Sequence, residues 1–517
     1  MMTTVVEFDT GTTEPSALSV RLHSALRASG DSALRVLRCP ATWLCLAAVV
    51  FYSALAVNRV DQHLAGSYDF GVIFQVIHGW AFHGYPAEPL QMPLLSNEWG
   101  DHFAPILALL APLLWIHDSP SVIAVAQVVL ICAAGVPIYF AVRRMFGPVV
   151  GAIACTFYLS SIEVQNAIGF DVHENMFEPL LIAIAIERAL ARKWTAASVA
   201  IGLTLLCYED MGAMVLLFGL WAARHRKWRH AAVLCVLGPV VMFLYTGVIV
   251  PEWGRDLPYW QLRHFDYQNS LGASTMSQAI VHALEHPHHF LHLLVATPVK
   301  VDTWWLLIGS VGFVCLASPI TYLGSTTVIL LMVSDNSTHW STNYHFYLQV
   351  APIIVIGAAD GLRRLGLLGR RLWRRMKLKL PSSMAFLRSR TTWRAAVAGL
   401  ALVALYSSLV MEHEKDRIAE SAAWTYIEGK QTRSAALNAA INEAARYVPS
   451  GQNVYVSGDL GTVVVARDTD VSMPQYADYL LFDPGTQSIP AGFEQTMEAQ
   501  GFHVVFVAHG LVYVMER

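Results

Sequence analysis

Apolar residues recur along the chain in runs of 13 to 21 positions, separated by polar segments, and this repetition stops near position 411. A run of about 20 apolar residues is what a helix needs to cross a bilayer, and shorter runs suit closely spaced or interfacial helices. The pattern predicts eleven crossings, at 42–57, 122–142, 149–165, 175–190, 194–208, 211–223, 231–250, 303–318, 319–334, 345–362 and 392–411. The first run also resembles a signal peptide, with Ala54-Leu55-Ala56 as a cleavage site. The long polar region before it favours an uncleaved first helix.

Basic residues set the orientation. Arg21, Arg27, Arg35 and Arg38 precede the first run; Arg143 and Arg144 end the second; Arg188, Arg192, Lys193, Arg224, Arg226, Lys227 and Arg229 fill later turns; and a dense basic stretch runs from Arg363 to Arg394. Alternate turns are therefore cytoplasmic under the positive-inside rule, which places the N-terminal tail (1–38) inside and the long loop 59–120 outside. Two apolar pieces of that loop, 72–82 and 103–115, are too short to span and are expected as helices at the outer surface.

After the helical region (39–411), residues 412–517 change character. A helix over 435–447 and strands over 453–457, 479–482, 503–508 and 511–516 predict a small α/β domain on the outer face. Its Gly458-Asp459 and Asp-Pro-Gly turns are ordinary turn chemistry. The expected fold class is thus an α-helical polytopic membrane protein with a C-terminal α/β extracytoplasmic domain.

Composition agrees with this class: of 517 residues, 55% are hydrophobic and 14% charged, with a formal net charge of -3. An average soluble domain is about 25% charged. The uneven charge sets topology and makes no case for nucleic-acid binding. The seven cysteines all fall in or beside apolar runs and read as small buried hydrophobes rather than a disulfide framework or a zinc site.

Candidate chemistry gathers on the expected outer side. Asp69; Glu98 with Asp101 and His102; Asp171, His173, Glu174 and Glu178; Glu209 and Asp210; and Asp335, His339 and His345 all lie near outer boundaries. Ionisable groups at membrane depth are costly and mark sites. The alternative for each is a wet loop residue or a cap, such as Asp171 or Asn175 capping the next helix. The histidines at 282, 286, 288, 289 and 292 admit a metal reading, but their spacing also suits an interfacial helix, which is preferred.

The order of one helix, an outer loop opening with Tyr68-Asp69-Phe70-Gly71, then Gly100-Asp101-His102-Phe103-Ala104-Pro105, then a helix ending in two arginines resembles the C-type (GT-C) superfamily of polyprenyl-phosphate-dependent glycosyltransferases. Gly100 to Pro105, Phe170-Asp171-Val172-His173-Glu174, Tyr208-Glu209-Asp210 and Tyr344-His345-Phe346 are more closely similar to motifs of a bacterial membrane-protein family of unknown function, over about 45–365. The paired acids of protein mannosyl- and oligosaccharyl-transferases are absent, because Phe70 follows Asp69.

The resemblance implies transfer of a sugar from a polyprenyl-phosphate donor to a glycan or lipid acceptor, at a bacterial plasma membrane. Such chemistry asks for a base, a partner for the departing phosphate and a groove for the lipid. Asp69 is the expected base, in a single inverting displacement. Arg263, His264, Lys300 and His345 are candidate phosphate partners, and Asp101 with His102 would hold a divalent cation or orient the acceptor. Asp171, His173, Glu174, Glu209 and Asp210 complete the expected binding set. A transporter or flippase would also place charges in a cavity, but no internal repeat is visible. A cell-envelope scaffold would explain the tail and leave the clustered acids without a purpose.

Overall fold

The computed structural model describes residues 39–66, 68–91, 97–254, 267–273, 276–375, 397–399, 402–403, 421–457, 460–471, 473–486 and 488–517. The N-terminal tail, Ser67, Arg263, His264, most of the expected crossing at 392–411, much of the basic stretch before it, and Gly458-Asp459 lie outside the described residues.

Helices form where the apolar runs predict them, and prolines start several. Pro40–Asp61, Pro120–Phe146 and Pro148–Gly169 each open with proline, whose missing N–H and fixed φ suit the first helical turn. Gly147, at φ +99°, makes the sharp corner between the second and third of these. With Trp228–Trp253 and Ser337–Gly369 there are five helices among the described residues long and apolar enough to cross a membrane, or six if the bent pair Pro287–Leu293 and Pro298–Gly309 forms one broken span. Four shorter apolar helices, Pro105–Ile116, Trp194–Leu206, Met211–Arg224 and Thr321–Val333, pack among them. Apart from 392–411, most of which lies outside the described residues, the expected runs are thus largely helical, while among the described residues fewer than eleven helices have the length to cross alone.

Close packing depends on small residues. Met211–Arg224 and Trp228–Trp253 approach so nearly that a Cβ on Gly212 would lie 2.5 Å from the Gly238 carbonyl oxygen. Helices in a bilayer associate through such contacts, because lipid removes the hydrophobic drive between them. The cysteines are all free, and all but Cys235 are fully buried.

In the long first loop, the apolar piece expected at 72–82 starts earlier, as a helix Asp69–Phe82, and the second is a 3-10 turn Pro105–Leu110 running into Ala111–Ile116. Asp69 therefore sits at a helix N-terminus, where a carboxylate is favoured by the backbone dipoles.

The C-terminal domain is a five-stranded sheet, β1 Asn453–Val456, β2 Thr469–Asp470, β3 Tyr479–Phe482, β4 His503–Ala508 and β5 Val512–Glu516, in the order β2-β1-β3-β5-β4. The first three are parallel; β5 runs antiparallel to β3 and β4. The helix Ala435–Tyr447, capped by the Ser434 side chain, buries Ala440, Ile441, Ala444 and Ala445 against one face. Leu480, Phe482, Met497 and Phe502 fill the other.

Candidate active site

Connections at one end of the bundle come together around a cavity of about 330 Å³. Tyr68 and Asp69 enter it from the start of the first-loop helix. Glu98, Asp101 and His102 come from the turn after it, Phe170, His173 and Glu174 from the corner between two helices, Tyr208 from the next, and His339, Tyr344, His345 and Phe346 from the segment before Ala351–Arg375. Arginines mark the opposite end, where Arg144 bonds Glu187 at 2.6 Å and Arg363 bonds Asp360 at 2.6 Å.

Asp69 is half-buried at the cavity wall, and among the described residues its carboxylate has no hydrogen-bond or ion-pair partner. The chain leading to it is tightly held. Gly66 donates its N–H to Asp171 Oδ1 at 2.9 Å, and Arg59 lies 3.7 Å from the same oxygen. A Cβ at Gly66 would collide with that carboxylate, so the approach needs glycine here. Burial pushes the Asp171 carboxyl up, against the pull of Arg59 and the Gly66 N–H. Asp171, expected in the binding set, thus supports the Asp69 loop from behind and does not line the cavity, and the alternative reading of it as a helix cap does not hold either: the following helix has His173 at its N-cap, without a side-chain bond.

His102 is the electrostatic centre. Its Nδ1 is 2.9 Å from Glu209 Oε1 and its Nε2 is 3.7 Å from Asp101 Oδ1, while its ring lies 4.8 Å from that of Tyr208. Burial opposes the charge, but Asp101 and Glu209, with Glu174 behind them, outweigh it and raise the imidazole to about 10. Asp210 lies behind the same group, pushed up to about 7 by burial, Glu209 and Glu174. Across the cavity, His173 and His345 stack with ring centroids 3.4 Å apart, and Phe170 continues the stack 5.4 Å from His173.

The structure therefore brings Asp69, Asp101, His102, His173, Glu174 and His345 to one cavity, with Glu209 in contact through His102. Lys300 is not among its lining residues; its Nζ bonds the Leu293 carbonyl at 2.9 Å and lies 4.2 Å from the Trp340 ring centre. Asp335 is a local cap, accepting the N–H groups of Asn269 and Ser270 at 2.7 Å each. His282 lies on the helix Met276–Glu285, His288, His289 and His292 lie on Pro287–Leu293, and His286 precedes the latter without a side-chain capping bond. Among the described residues, no group of three or more His, Cys, Asp and Glu is arranged to hold a metal ion.

Residues unremarked in the sequence complete the support. Arg433, just before the helix Ala435–Tyr447, donates to the His63 carbonyl at 2.9 Å, and its backbone N–H and the Asn438 amide both donate to Gln62 Oε1, at 3.1 and 2.8 Å. Asn58 donates to the Gln431 carbonyl at 2.8 Å. The C-terminal domain thus holds Asn58, Gln62 and His63, in the chain that leads to Asp69. Partners some 370 positions apart leave no signal in a single sequence.

A helical bundle with its polar connections gathered over one cavity, and a small α/β domain beside it, is the architecture of a polytopic membrane protein. The chain belongs to the family described as predicted membrane protein (DUF2079), whose model matches residues 59–486. No curated protein matches the chain. Among solved structures, ArnT from Cupriavidus metallidurans bound to undecaprenyl phosphate aligns over 92% of this chain and 97% of its own, at 14% identity and a TM-score of 0.50. The Archaeoglobus fulgidus oligosaccharyltransferase tethered to an acceptor peptide aligns over 86% and 69%, at 13% identity and a TM-score of 0.40. The archaeal oligosaccharyltransferase AglB from Archaeoglobus fulgidus, with an inhibitory peptide and a dolichol-phosphate, aligns over 85% and 69%, at 12% identity and 0.36.

Proposed function

We propose that this protein is a membrane glycosyltransferase that moves a sugar from a polyprenyl-phosphate donor to a hydroxyl of an extracytoplasmic glycan, lipoglycan or lipid, with inversion. The observation that carries the reading is the convergence of Asp69, Asp101, His102, His173, Glu174 and His345 on one cavity at the end of the bundle away from the arginine-rich turns. By the positive-inside rule that end is the outer one. The bundle then crosses eleven times, with 1–38 in the cytoplasm, 59–120 outside and 412–517 outside, in a bacterial plasma membrane.

The reaction needs one base and one charge partner. The acceptor oxygen attacks the anomeric carbon, the carbon–oxygen bond to the phosphate breaks, and the phosphate leaves with the electron pair. Asp69, uncommitted among the described residues, takes the acceptor proton. His102 is proposed as one phosphate partner, its imidazolium offsetting part of the negative charge that Asp101, Glu174 and Glu209 bring to the cavity wall. His345 is a second phosphate partner, with Arg263 and His264 as partners argued from sequence alone. Asp101 and Glu209 act by holding His102 charged and oriented, and Asp171 by holding the loop before Asp69. His173 and Glu174 shape the site's aromatic and acidic walls, with Asp210 behind them. The solved structure with a TM-score of 0.50 carries undecaprenyl phosphate, a lipid of the class proposed here as leaving group.

The test is to incubate purified full-length protein with a panel of radiolabelled polyprenyl-phosphate sugars and envelope acceptors. Label moving to acceptor, dependent on the protein, supports the reading. No transfer across the panel overturns it.

A further inference from the structure

A second cavity, of about 430 Å³, lies between the helices Pro148–Gly169 and Ala351–Arg375 toward the arginine-rich end of the bundle. Val150, Ala154 and Phe157 line one wall, and Val355, Ala359 and Leu362 another. Each row runs about 10 Å along its helix. Half of a hydrocarbon core of about 30 Å is about 15 Å, so the cavity occupies the depth of one leaflet.

A break in the neighbouring span makes the room. The helix Pro298–Gly309 ends in a π turn, and Gly312 and Phe313 follow at φ +62° and +59°, so the helix cannot run on to fill the gap. A Cβ on Gly312 would meet no atom within 4 Å. Ser310, the polar side chain of the wall, is satisfied by donating to the Leu307 carbonyl at 3.4 Å. Apolar cavities of even about 150 Å³ stay dry and take up apolar molecules. At this depth a bilayer supplies hydrocarbon chains.

The mouth carries more positive charge than its own acids neutralise. Arg143 and Arg144 follow the lining residue Val142, and Arg363 and Arg364 follow Leu362. Val142, Phe146 and Val150 pack with Ala359 and Leu362, which brings the two arginine pairs to one opening. Buried Glu187 is shared by Arg144 and Arg188, and buried Asp360 by Arg363 and Arg364, with Ser318 Oγ donating to it at 2.9 Å. Each carboxylate thus leaves one guanidinium charge over. Arg143 is exposed, with no ion-pair partner among the described residues.

We infer that this cavity holds one acyl chain of an anionic phospholipid from the leaflet at the arginine-rich end, with the head group on Arg143, Arg144 and Arg363. Basic pockets between membrane helices suit such head groups. The depth of one leaflet suits an acyl chain, whereas a polyprenyl phosphate donor would present its phosphate beside Asp69, at the opposite end.

The inference concerns lipid binding and does not rest on the transfer reading. Full-length protein in detergent, stripped of lipid, would be titrated with phosphatidylglycerol, phosphatidylcholine and undecaprenyl phosphate, and bound lipid counted by native mass spectrometry. One phosphatidylglycerol should be retained in preference to phosphatidylcholine. Ala154→Phe, which fills the cavity, should remove that lipid. Arg143→Gln, at an exposed site, should weaken it about fivefold even if Ala154→Phe fails to fold, the effect of one arginine near an anionic surface. Asp69→Asn should leave the affinity unchanged. Equal retention of phosphatidylcholine, unchanged affinity in Arg143→Gln or in a folded Ala154→Phe, loss in Asp69→Asn, or displacement of phosphatidylglycerol by equimolar undecaprenyl phosphate would each overturn the inference.

Discussion

The Nδ1 of His102 and the Oε1 of Glu209, residues 107 positions apart, meet at 2.9 Å and tie the long first loop to the turn before the helix Met211–Arg224. The pair predicts a pH dependence. His102 is raised from an ordinary value near 6.5 to about 10, so the stabilisation from its charge is complete below about 6.5 and is lost as pH rises through 10. Melting temperature followed by intrinsic fluorescence should therefore hold near neutrality and fall on approach to pH 10. Glu209→Gln should move that fall to lower pH; an unchanged alkaline limb would remove the ion pair from the account.

Arg433→Ala should loosen the loop before Asp69 without unfolding the membrane bundle. It removes the donor to the His63 carbonyl, a loss worth about 1–3 kcal/mol when the acceptor is left unpaired. Hydrogen exchange at 62–66 should rise and transfer should slow, while the helices remain protected. Gly461→Ala should act alike, because Gly461 has φ +68° and its Cβ would lie 2.8 Å from the His63 carbonyl oxygen.

Much of this architecture is legible in the sequence for a physical reason: helix cores, strand alternation and caps are local. Ala435–Tyr447 and β3 and β4 carry the expected bounds, and Asp69, Asp101, His102, His173, Glu174 and His345 share a cavity because turns at one end of a bundle must meet. What was not legible is non-local. Nothing near Gln62 announces Arg433, Asp171 turns back to Gly66 instead of capping forward, and Lys300 spends its charge on a ring and a carbonyl.

Gly212→Leu should be among the most damaging single changes in the bundle. Its added atoms would meet the Gly238 carbonyl and Met242 Cβ, at 2.5 and 2.6 Å even for the first carbon. Overpacking costs about 1–3 kcal/mol, occasionally more. Detergent-solubilised yield and melting temperature should both drop; wild-type values would mean that the two helices can part.

Orientation is open to a direct check. A reporter active only in the cytoplasm should be silent when fused after Arg517 and active when fused at Arg226, in the arginine-rich turn. The reverse pattern would invert the topology and put the cavity on the cytoplasmic side.

The central claim is that Asp69 is the base. Asn keeps the size and hydrogen-bonding capacity of Asp but cannot take a proton at neutral pH, so Asp69→Asn separates base chemistry from packing. With the donor and acceptor found for the wild type, initial rates of transfer should fall about 10²- to 10⁴-fold in Asp69→Asn, while melting temperature and binding of the lipid donor stay near wild type. Turnover by Asp69→Asn close to that of the wild type would contradict the account.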